Sequence, residues 1–285
     1  MPRINHNVPA MLTGGALRRT ERKLNKNMEK LSTGLRINRA ADDAAGLSIS
    51  EQLRTQVRGL AMGNRNIQDG MSLINIAEGA LIEVEDMLQR MRELAIQASN
   101  DTNTEKERLY IQEEVEQLKT EVDRIANGTQ YNGMQLLNGA AGVPFSTGGV
   151  IHAGANDDSN DADTVVVTIG GITTGSMGID TAGGNAVMTT QSDATTAISQ
   201  LDIALDSVNT LRANLGAQTN RLEHALKNQE NQEQNMTAAE STIRDTDFAT
   251  QSTKFTKNQI LQQSATSMLS QANMVPQSVL SLVQG

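Results

Sequence analysis

The fold follows from one long stretch, residues 53–98, which reads LRTQVRGLAMGNRNIQDGMSLINIAEGALIEVEDMLQRMRELAIQA. Its apolar residues recur at alternating steps of four and three, the helical pattern of a coiled-coil seam. One step, from Ile74 to Ala77, breaks the alternation and predicts local overwinding. The stretch contains no proline and predicts a helix roughly 70 Å long at about 1.5 Å per residue. Such a helix cannot bury its apolar stripe alone, so the rest of the chain must supply partners.

Composition narrows the class of protein. The chain has 285 residues with 13 methionines, 2% aromatic residues and no cysteine. A compact enzyme core of this length normally carries more aromatic bulk, whereas adaptable methionines suit long helices. Without cysteine, the chain can form neither disulfides nor thiolate metal sites. We expect no secretory signal and no membrane insertion, because no stretch approaches the roughly 18 apolar residues of a membrane span.

Charge is unevenly distributed along the chain. Residues 1–60 contain 11 Lys and Arg against 5 Asp and Glu, whereas residues 61–149 contain 7 against 14. A basic segment can bind nucleic acid, but no aromatic residues interleave the basic ones and no nucleic-acid motif is present. The pattern therefore favours a solvated helix face or a face that meets an acidic one, and no nucleic-acid partner is predicted.

Shorter helical segments flank the long one. After irregular residues 1–10, an apolar stripe starts at Leu17 and predicts a helix that ends near Gly34. Asp42 and Asp43 lie where the N-cap of the long helix is expected. A third helix begins with capping-box spacing at Thr104, and residues 127–128 are expected to end it with a glycine C-cap. A fourth begins at residue 194, and a last helical segment, 241–285, is expected to be interrupted by a proline at 276.

The middle of the chain differs in kind. Residues 132–193 are rich in glycine, threonine, asparagine and aspartate. The run 165–169 predicts a β-strand, with 148–153 as its partner and 156–161 as the turn between them. Residues 170–192 are expected to form a loop that is poor in apolar bulk.

These segments predict a mainly α fold: a long, antiparallel, coiled-coil-like helical rod with a small β-hairpin region at mid-chain. The antiparallel return brings the two ends together, so the terminal helices pair as an inner coiled coil. The expected divisions are 1–43, the N-terminal helix and linker; 44–193, the first part of the rod with the hairpin; 194–236, its return helix; and 237–285, the C-terminal helix. Each terminal helix alone buries little, so we expect both to become ordered against other copies. Contacts of this heterologous kind build helical filaments when they do not close.

Several ordered blocks resemble one family. They include MEKLSTGLRINRAADDAAGL at 28–47, LQRMRELAIQ at 88–97, QYNG at 130–133, LGAQTNRLE at 215–223, AAESTIRDTD at 238–247 and QANMVPQ at 271–277. The sequence resembles bacterial flagellin over roughly residues 1–140 and 195–285. The resemblance implies a structural, non-enzymatic subunit without a cofactor, which polymerises into the extracellular flagellar filament used for swimming.

The resemblance also implies partners and a route. Members of this family are exported by the flagellar type III apparatus without a cleaved signal peptide. A flagellin-specific chaperone binds the C-terminal segment, and hook-associated junction and cap proteins contact the filament. The residues expected to pack in the inner tube are Leu17, Leu24, Leu31, Phe255, Ile260, Met268 and Leu269.

Two groups of site residues follow from the resemblance. The animal Toll-like receptor for flagellin is expected to recognise Arg90, Leu94 and Glu114 on the free monomer, on a surface that also packs between subunits. The second group lies in the linker between the inner and outer tubes and consists of Arg36, Asn38, Arg39 and Asp43. These residues are expected to make polar contacts between subunits; the alternative is that the linker carboxylates only cap a helix locally.

Asn64, the acidic run 113–116 and the protein class itself each have more than one interpretation. Asn64 on the apolar stripe either sets the helix register or faces water. The acidic run 113–116 has the charge of a metal site but no histidine near it, so a solvated face is favoured. Three alternatives to a filament subunit are a hook–filament junction protein, a chemoreceptor-like helical hairpin and a helical enzyme. The hairpin would place a helical tip at mid-chain, and no cluster of catalytic residue types supports the enzyme.

Overall fold

A computed structural model describes residues 6–139, 145–156, 163–180 and 187–284, with side chains described as far as residue 274. Its elements are α1 (Val8–Thr33), α2 (Ala44–Ala98), α3 (Glu105–Gly128), β1 (Gln130–Tyr131), β2 (Met134–Gln135), β3 (Gly149–His152), β4 (Thr164–Val167), α4 (Gln191–Arg244) and α5 (Phe248–Gln284). The prediction of a mainly α fold with a small β region is confirmed. The chain divides into two compact units: a terminal unit, residues 1–55 with 235–285, and a central unit, residues 56–234.

The terminal unit is built on an antiparallel pair, α1 and α5. Asn7 Nδ2 donates to the carbonyl of Ala272 at 2.8 Å, and Gln251 Nε2 donates to Asn27 Oδ1 at 2.9 Å. The two contacts lie near opposite ends of α1 and in reverse order along α5. The predicted pairing of the terminal helices is therefore confirmed.

Two expected helix limits in the terminal unit are wrong. α1 begins at Val8, because Asn7 Oδ1 caps it by accepting from Ala10 N at 3.1 Å, and a proline in the first turn removes no needed donor. α5 continues through Pro276 to Gln284, since one missing donor does not end a long helix. The end of α1 was predicted correctly: Gly34 adopts a left-handed conformation with φ 73°.

The central unit packs α2, α3 and α4 around one apolar core. The stripe predicted for α2 is buried from Leu60 onward, apart from the partly buried Met71 and the polar Asn64. Asn64 Nδ2 donates to Glu233 Oε2 at 2.9 Å, and Arg212 pairs with Glu85. Both pairs join α2 to α4 in antiparallel order. Asn64 thus makes a cross-helix contact, as the register interpretation of the sequence requires.

The ends of α3 differ in how well the sequence predicts them. Thr104 and Glu107 form the predicted capping box. The expected glycine cap at the other end is wrong, because Gly128 is helical and the capping residue, Thr129, is extended with φ −74° as the chain enters β1. The first residues after α3 with left-handed backbone conformation are Asn132 and Gly133, with φ 49° and 79°. They form the tight turn of a β1–β2 hairpin that the sequence analysis missed.

A second hairpin pairs β3 with β4 in antiparallel register, with Val150 opposite Val166. This confirms the predicted strand pair, although each strand is shorter than expected. The predicted turn, 156–161, lies outside the described residues apart from Asn156. The described part of 170–190 has no helix or strand, yet Ile172, Ile179 and Met188 are buried in the core. The described part of 170–192 is therefore the expected loop, apart from residues 191–192, which begin α4, and its few apolar residues contribute to the core.

Candidate functional site

An exposed ion-pair cluster lies on α2 and α3 of the central unit. Arg90 Nη2 lies 2.9 Å from Glu114 Oε1, and its Nη1 lies 3.2 Å from Glu93 Oε2. The hydrogen bond to Glu114 contributes most to raising the pKa of Arg90, and Glu93 acts in the same direction. The structure therefore brings two of the three predicted receptor residues together in solvent, held in a defined geometry.

The third predicted receptor residue is placed differently. Leu94 is only 2% exposed and belongs to the apolar core of the central unit. Its side chain therefore packs in the core and is almost completely hidden from solvent. The neighbouring Arg92 is exposed and pairs with Asp202 of α4 at 2.5 Å.

The β3–β4 hairpin packs closely on α2 at the positions of three glycines, Gly59, Gly63 and Gly70. A Cβ at Gly63 would lie 1.7 Å from the carbonyl oxygen of Ala153, and one at Gly59 would lie 2.7 Å from Ala155 Cβ. Asn66 Nδ2 donates to the carbonyl of His152 at 2.8 Å. The absence of side chains at these glycines therefore lets the backbone after β3 contact the helix directly.

The linker residues make contacts within the chain. Arg36 N donates to the carbonyl of Arg244 at 2.6 Å, and Arg39 Nη2 lies 2.9 Å from Glu29 Oε1. Asn38 Nδ2 donates to Thr33 Oγ1 at 2.9 Å, and Asp43 Oδ1 caps α2 by accepting from Gly46 N at 2.9 Å. The capping interpretation accounts for Asp43. Contacts of these residues with other subunits stay a prediction.

Asp42 holds the linker together and makes it sensitive to acid. Lys26 Nζ lies 2.5 Å from Asp42 Oδ1, and this hydrogen bond is the main cause that lowers the pKa of Asp42. Backbone N–H groups of Asn38 and Arg39 act in the same direction, against desolvation. Because the pKa of Asp42 is lower in the folded state, the carboxylate stabilises the linker fully above its unfolded-state pKa, and this stability is lost as pH falls through the folded-state pKa.

We therefore expect the protection of the Asn38 and Arg39 amides, measured as the exchange rate relative to the intrinsic rate at each pH, to fall as pH drops through the folded-state pKa of Asp42. Asp42→Asn should show low protection at every pH, because an amide cannot hold Lys26 as an ion pair. The matched control Asp206→Asn, an exposed carboxylate on α4, should behave like the wild type. An identical pH response in Asp42→Asn and wild type would contradict this role.

The seam between α1 and α5 is only half apolar. The buried and partly buried residues of α5 recur at strict steps of four and three, and they are Gln251, Phe255, Asn258, Gln262, Ala265, Leu269 and Ala272. Leu17, Leu24 and Leu31 of α1 are partly buried at heptad spacing. Two predicted packing residues, Ile260 and Met268, lie off this seam and are 57% and 61% exposed. They are available to a partner outside the chain.

The described residues hold no cluster of three or more His, Asp or Glu side chains arranged for a metal ion. The acidic run 113–116 is engaged elsewhere, since Glu114 pairs with Arg90 and Glu116 Oε1 lies 3.3 Å from Lys119 Nζ. Within the described helices, none is both long and apolar enough to cross a membrane.

Comparison with known families identifies the chain. A model of the bacterial flagellin N-terminal helical region matches residues 4–141, and one of the bacterial flagellin C-terminal helical region matches residues 198–283. The chain belongs to the bacterial flagellin family. The β3–β4 hairpin of this flagellin lies between the two matched regions.

Individual relatives agree with this assignment. The flagellar filament 31.3 kDa core protein of Treponema maltophilum is 46% identical over 288 residues, covering 99% of both chains. The flagellin of Bacillus subtilis is 43% identical over 307 residues, covering 99% of this chain and all of that one. A solved structure from Vibrio parahaemolyticus, described as a flagellar hook-associated protein, has a TM-score of 0.56 over 72% of this chain and 100% of its own, with 15% identity. That last likeness shows the fold alone.

One structural residue of this flagellin escaped the sequence analysis. Arg108 is buried, with its Nε donating to the carbonyl of Ala98 at 2.8 Å and its Nη2 donating to that of Asn100 at 3.2 Å. It satisfies the carbonyl of Ala98, the last residue of α2, and adds a second hydrogen bond to the Asn100 carbonyl, which also accepts from Asn103 N at 3.2 Å. The signal was present in the sequence: a basic residue three positions before Ile111 occupies the apolar stripe of α3.

Proposed function

We propose that this chain is a structural subunit that polymerises into a bacterial flagellar filament through its terminal unit. The observation that carries the proposal is the placement of apolar surface. Ten of the nineteen exposed large apolar side chains of the described residues belong to the terminal unit, which holds little more than a third of the chain. Large exposed apolar surface of this kind marks sites of association.

The inner packing of the terminal unit leaves this surface unused. α1 has no buried residue, and the seam with α5 contains Gln251, Asn258 and Gln262. Val8, Met11 and Leu12 follow helical spacing at the exposed start of α1. The large apolar side chains face outward, whereas the seam between α1 and α5 is partly polar. Burial of the outward faces between copies of the chain therefore contributes more free energy than burial of the seam contributes to the isolated pair.

The remaining parts of the proposal rest on membership of the bacterial flagellin family. The subunit is extracellular, non-enzymatic and exported by the flagellar type III apparatus without a cleaved signal peptide. Its C-terminal segment binds an export chaperone, and its filament meets junction and cap proteins at the two ends. The linker residues Arg36, Asn38, Arg39 and Asp43 also meet neighbouring subunits. The expected domain limits at residues 43, 193 and 236 belong to the same proposal.

A seeded elongation assay tests the filament role against the junction alternative. Purified chain is added to short filament seeds, and filament length is measured by electron microscopy. A filament subunit lengthens the seeds in proportion to the chain supplied. Addition that stops after a terminal layer would favour a junction protein and contradict the proposal.

The monomer surface around Arg90 supports a second role, recognition by the animal Toll-like receptor for flagellin. Arg90 and Glu114 are exposed and ion-paired at 2.9 Å, so together they present a charged surface to a partner. Leu94 contributes by holding α2 in place from the core.

We expect Arg90→Ala to weaken binding of the soluble monomer to the receptor by about tenfold or more, because arginine is a frequent interface hot spot. Surface plasmon resonance on monomeric protein measures the change. Arg92→Ala is the matched control: it is two residues away, exposed and also ion-paired, but it pairs with α4. Equal binding by Arg90→Ala and wild type would refute the assignment.

A further inference from the structure

Five methionines of the described residues are exposed, and all but Met62 lie in the terminal unit. Met91, Met177 and Met188 are buried in the core of the central unit. Four others lie on α1 or α5 and expose between 50% and 70% of their surface. These four, the terminal-pair methionines, are Met11, Met28, Met268 and Met274.

Two of the terminal-pair methionines lie at the same level of the helix pair. Met11 is one helical turn after Asn7 on α1, and Met268 is one turn before Ala272 on α5. Asn7 and Ala272 are joined by a hydrogen bond of 2.8 Å. Met11 and Met268 are therefore held next to a fixed cross-helix contact, 70% and 61% exposed, on the unit that carries most of the exposed apolar surface.

Exposed thioethers react with peroxides. The methionine sulfur attacks one oxygen of hydrogen peroxide, a sulfur–oxygen bond forms and the oxygen–oxygen bond breaks. The second oxygen leaves as water after proton transfer, so the sulfur is oxidised and the peroxide is reduced. The product, methionine sulfoxide, replaces a flexible apolar group with a polar one and is known to disrupt methionine-rich interfaces.

We propose that the terminal-pair methionines are a peroxide-sensitive modification site that controls self-association of the chain. The inference rests on the proposed function, because it requires that these faces become buried when subunits assemble. Oxidation of the free subunit places polar sulfoxides where apolar side chains must be buried, so assembly is blocked. Burial in the assembled state shields the same thioethers, so subunits already assembled resist the oxidant.

The experiment treats purified full-length chain with hydrogen peroxide and measures two quantities. Peptide mass spectrometry gives the occupancy of one added oxygen at each methionine, and sedimentation gives the critical concentration for assembly. We expect the terminal-pair methionines to oxidise well before Met91 and Met188, and the critical concentration to rise about tenfold for each sulfoxide buried without a hydrogen-bond partner. Treatment with methionine sulfoxide reductases should restore the original value.

Variants identify the responsible residues. A chain with Met11→Leu, Met28→Leu, Met268→Leu and Met274→Leu keeps apolar side chains and should assemble equally well with and without peroxide. Met62→Leu removes an exposed methionine of the central unit and should leave the peroxide effect unchanged. If the fourfold variant does not assemble even without peroxide, the wild-type chain is used instead. Recovery of its critical concentration after reductase treatment of the oxidised chain then tests the inference.

Two results would overturn the inference. The first is an unchanged critical concentration when mass spectrometry shows these four residues oxidised. The second is an inhibition that persists in the fourfold variant or that the reductases do not reverse. Untreated wild-type chain in the same assay separates these outcomes from failure of the proposed function, because that failure would abolish assembly before any oxidant is added.

Discussion

Gly63→Ala is expected to lower the free energy of unfolding by about 3 kcal/mol, at the upper end of the usual range for overpacking. The added Cβ would lie 1.7 Å from the Ala153 carbonyl oxygen and 2.6 Å from its carbon, both backbone atoms. Neither can move aside as the end of a side chain can, so the segment after β3 must shift away from α2. Thermal unfolding followed by circular dichroism measures the loss, and hydrogen exchange of the Ile151 amide reports the displaced hairpin.

Gly79→Ala is the matched control in the same helix. A Cβ at Gly79 meets no atom within 4 Å. This substitution should stabilise α2 by about 1 kcal/mol through helix propensity alone. If Gly63→Ala proved as stable as Gly79→Ala, the close seat of the hairpin on α2 would be refuted.

Ile260→Asp is expected to raise the critical concentration for assembly by about a hundredfold or more. Ile260 is 57% exposed and lies off the α1–α5 seam, so the monomer should keep its fold and its melting temperature. In an assembled state that buries this face, an unpaired carboxylate costs about 3 kcal/mol or more. Sedimentation of the polymer measures the critical concentration.

Ile260→Leu separates the loss of apolar surface from any local effect of substitution. It keeps the apolar side chain and should assemble at the wild-type concentration. Ile260→Asp assembling at that same concentration would show that the exposed face of α5 does not take part in self-association.

The apolar periodicity of α2 was predictable because a coiled-coil stripe appears directly in the order of residues. The full width of the apolar face of α2 could not be predicted from the sequence. Leu73 and Leu94 are also buried, since α2 packs against both α3 and α4 and therefore needs a broader apolar face than one seam requires. The resemblance placed Leu94 among the receptor residues, and only the packing of two helices on α2 explains why its side chain faces the core.

Other features depend on tertiary context in the same way. The Asn132–Gly133 pair is a strong turn signal, but strands of two residues are too short to show alternation. Pro276 is a helix breaker by propensity, yet α5 continues through it. The glycines at 59 and 63 weaken α2 as an isolated helix, and their purpose becomes visible only once the segment after β3 lies against them.

Seeded elongation with and without α5 shows whether the terminal unit drives polymerisation. Full-length chain and a chain ending at Asp247 are added to the same filament seeds, and filament lengths are measured by electron microscopy. Circular dichroism checks that the shortened chain retains the helices of the central unit. We expect full-length chain to lengthen the seeds and the shortened chain to leave them unchanged. Equal elongation by both, or no elongation by the full-length chain, would contradict it.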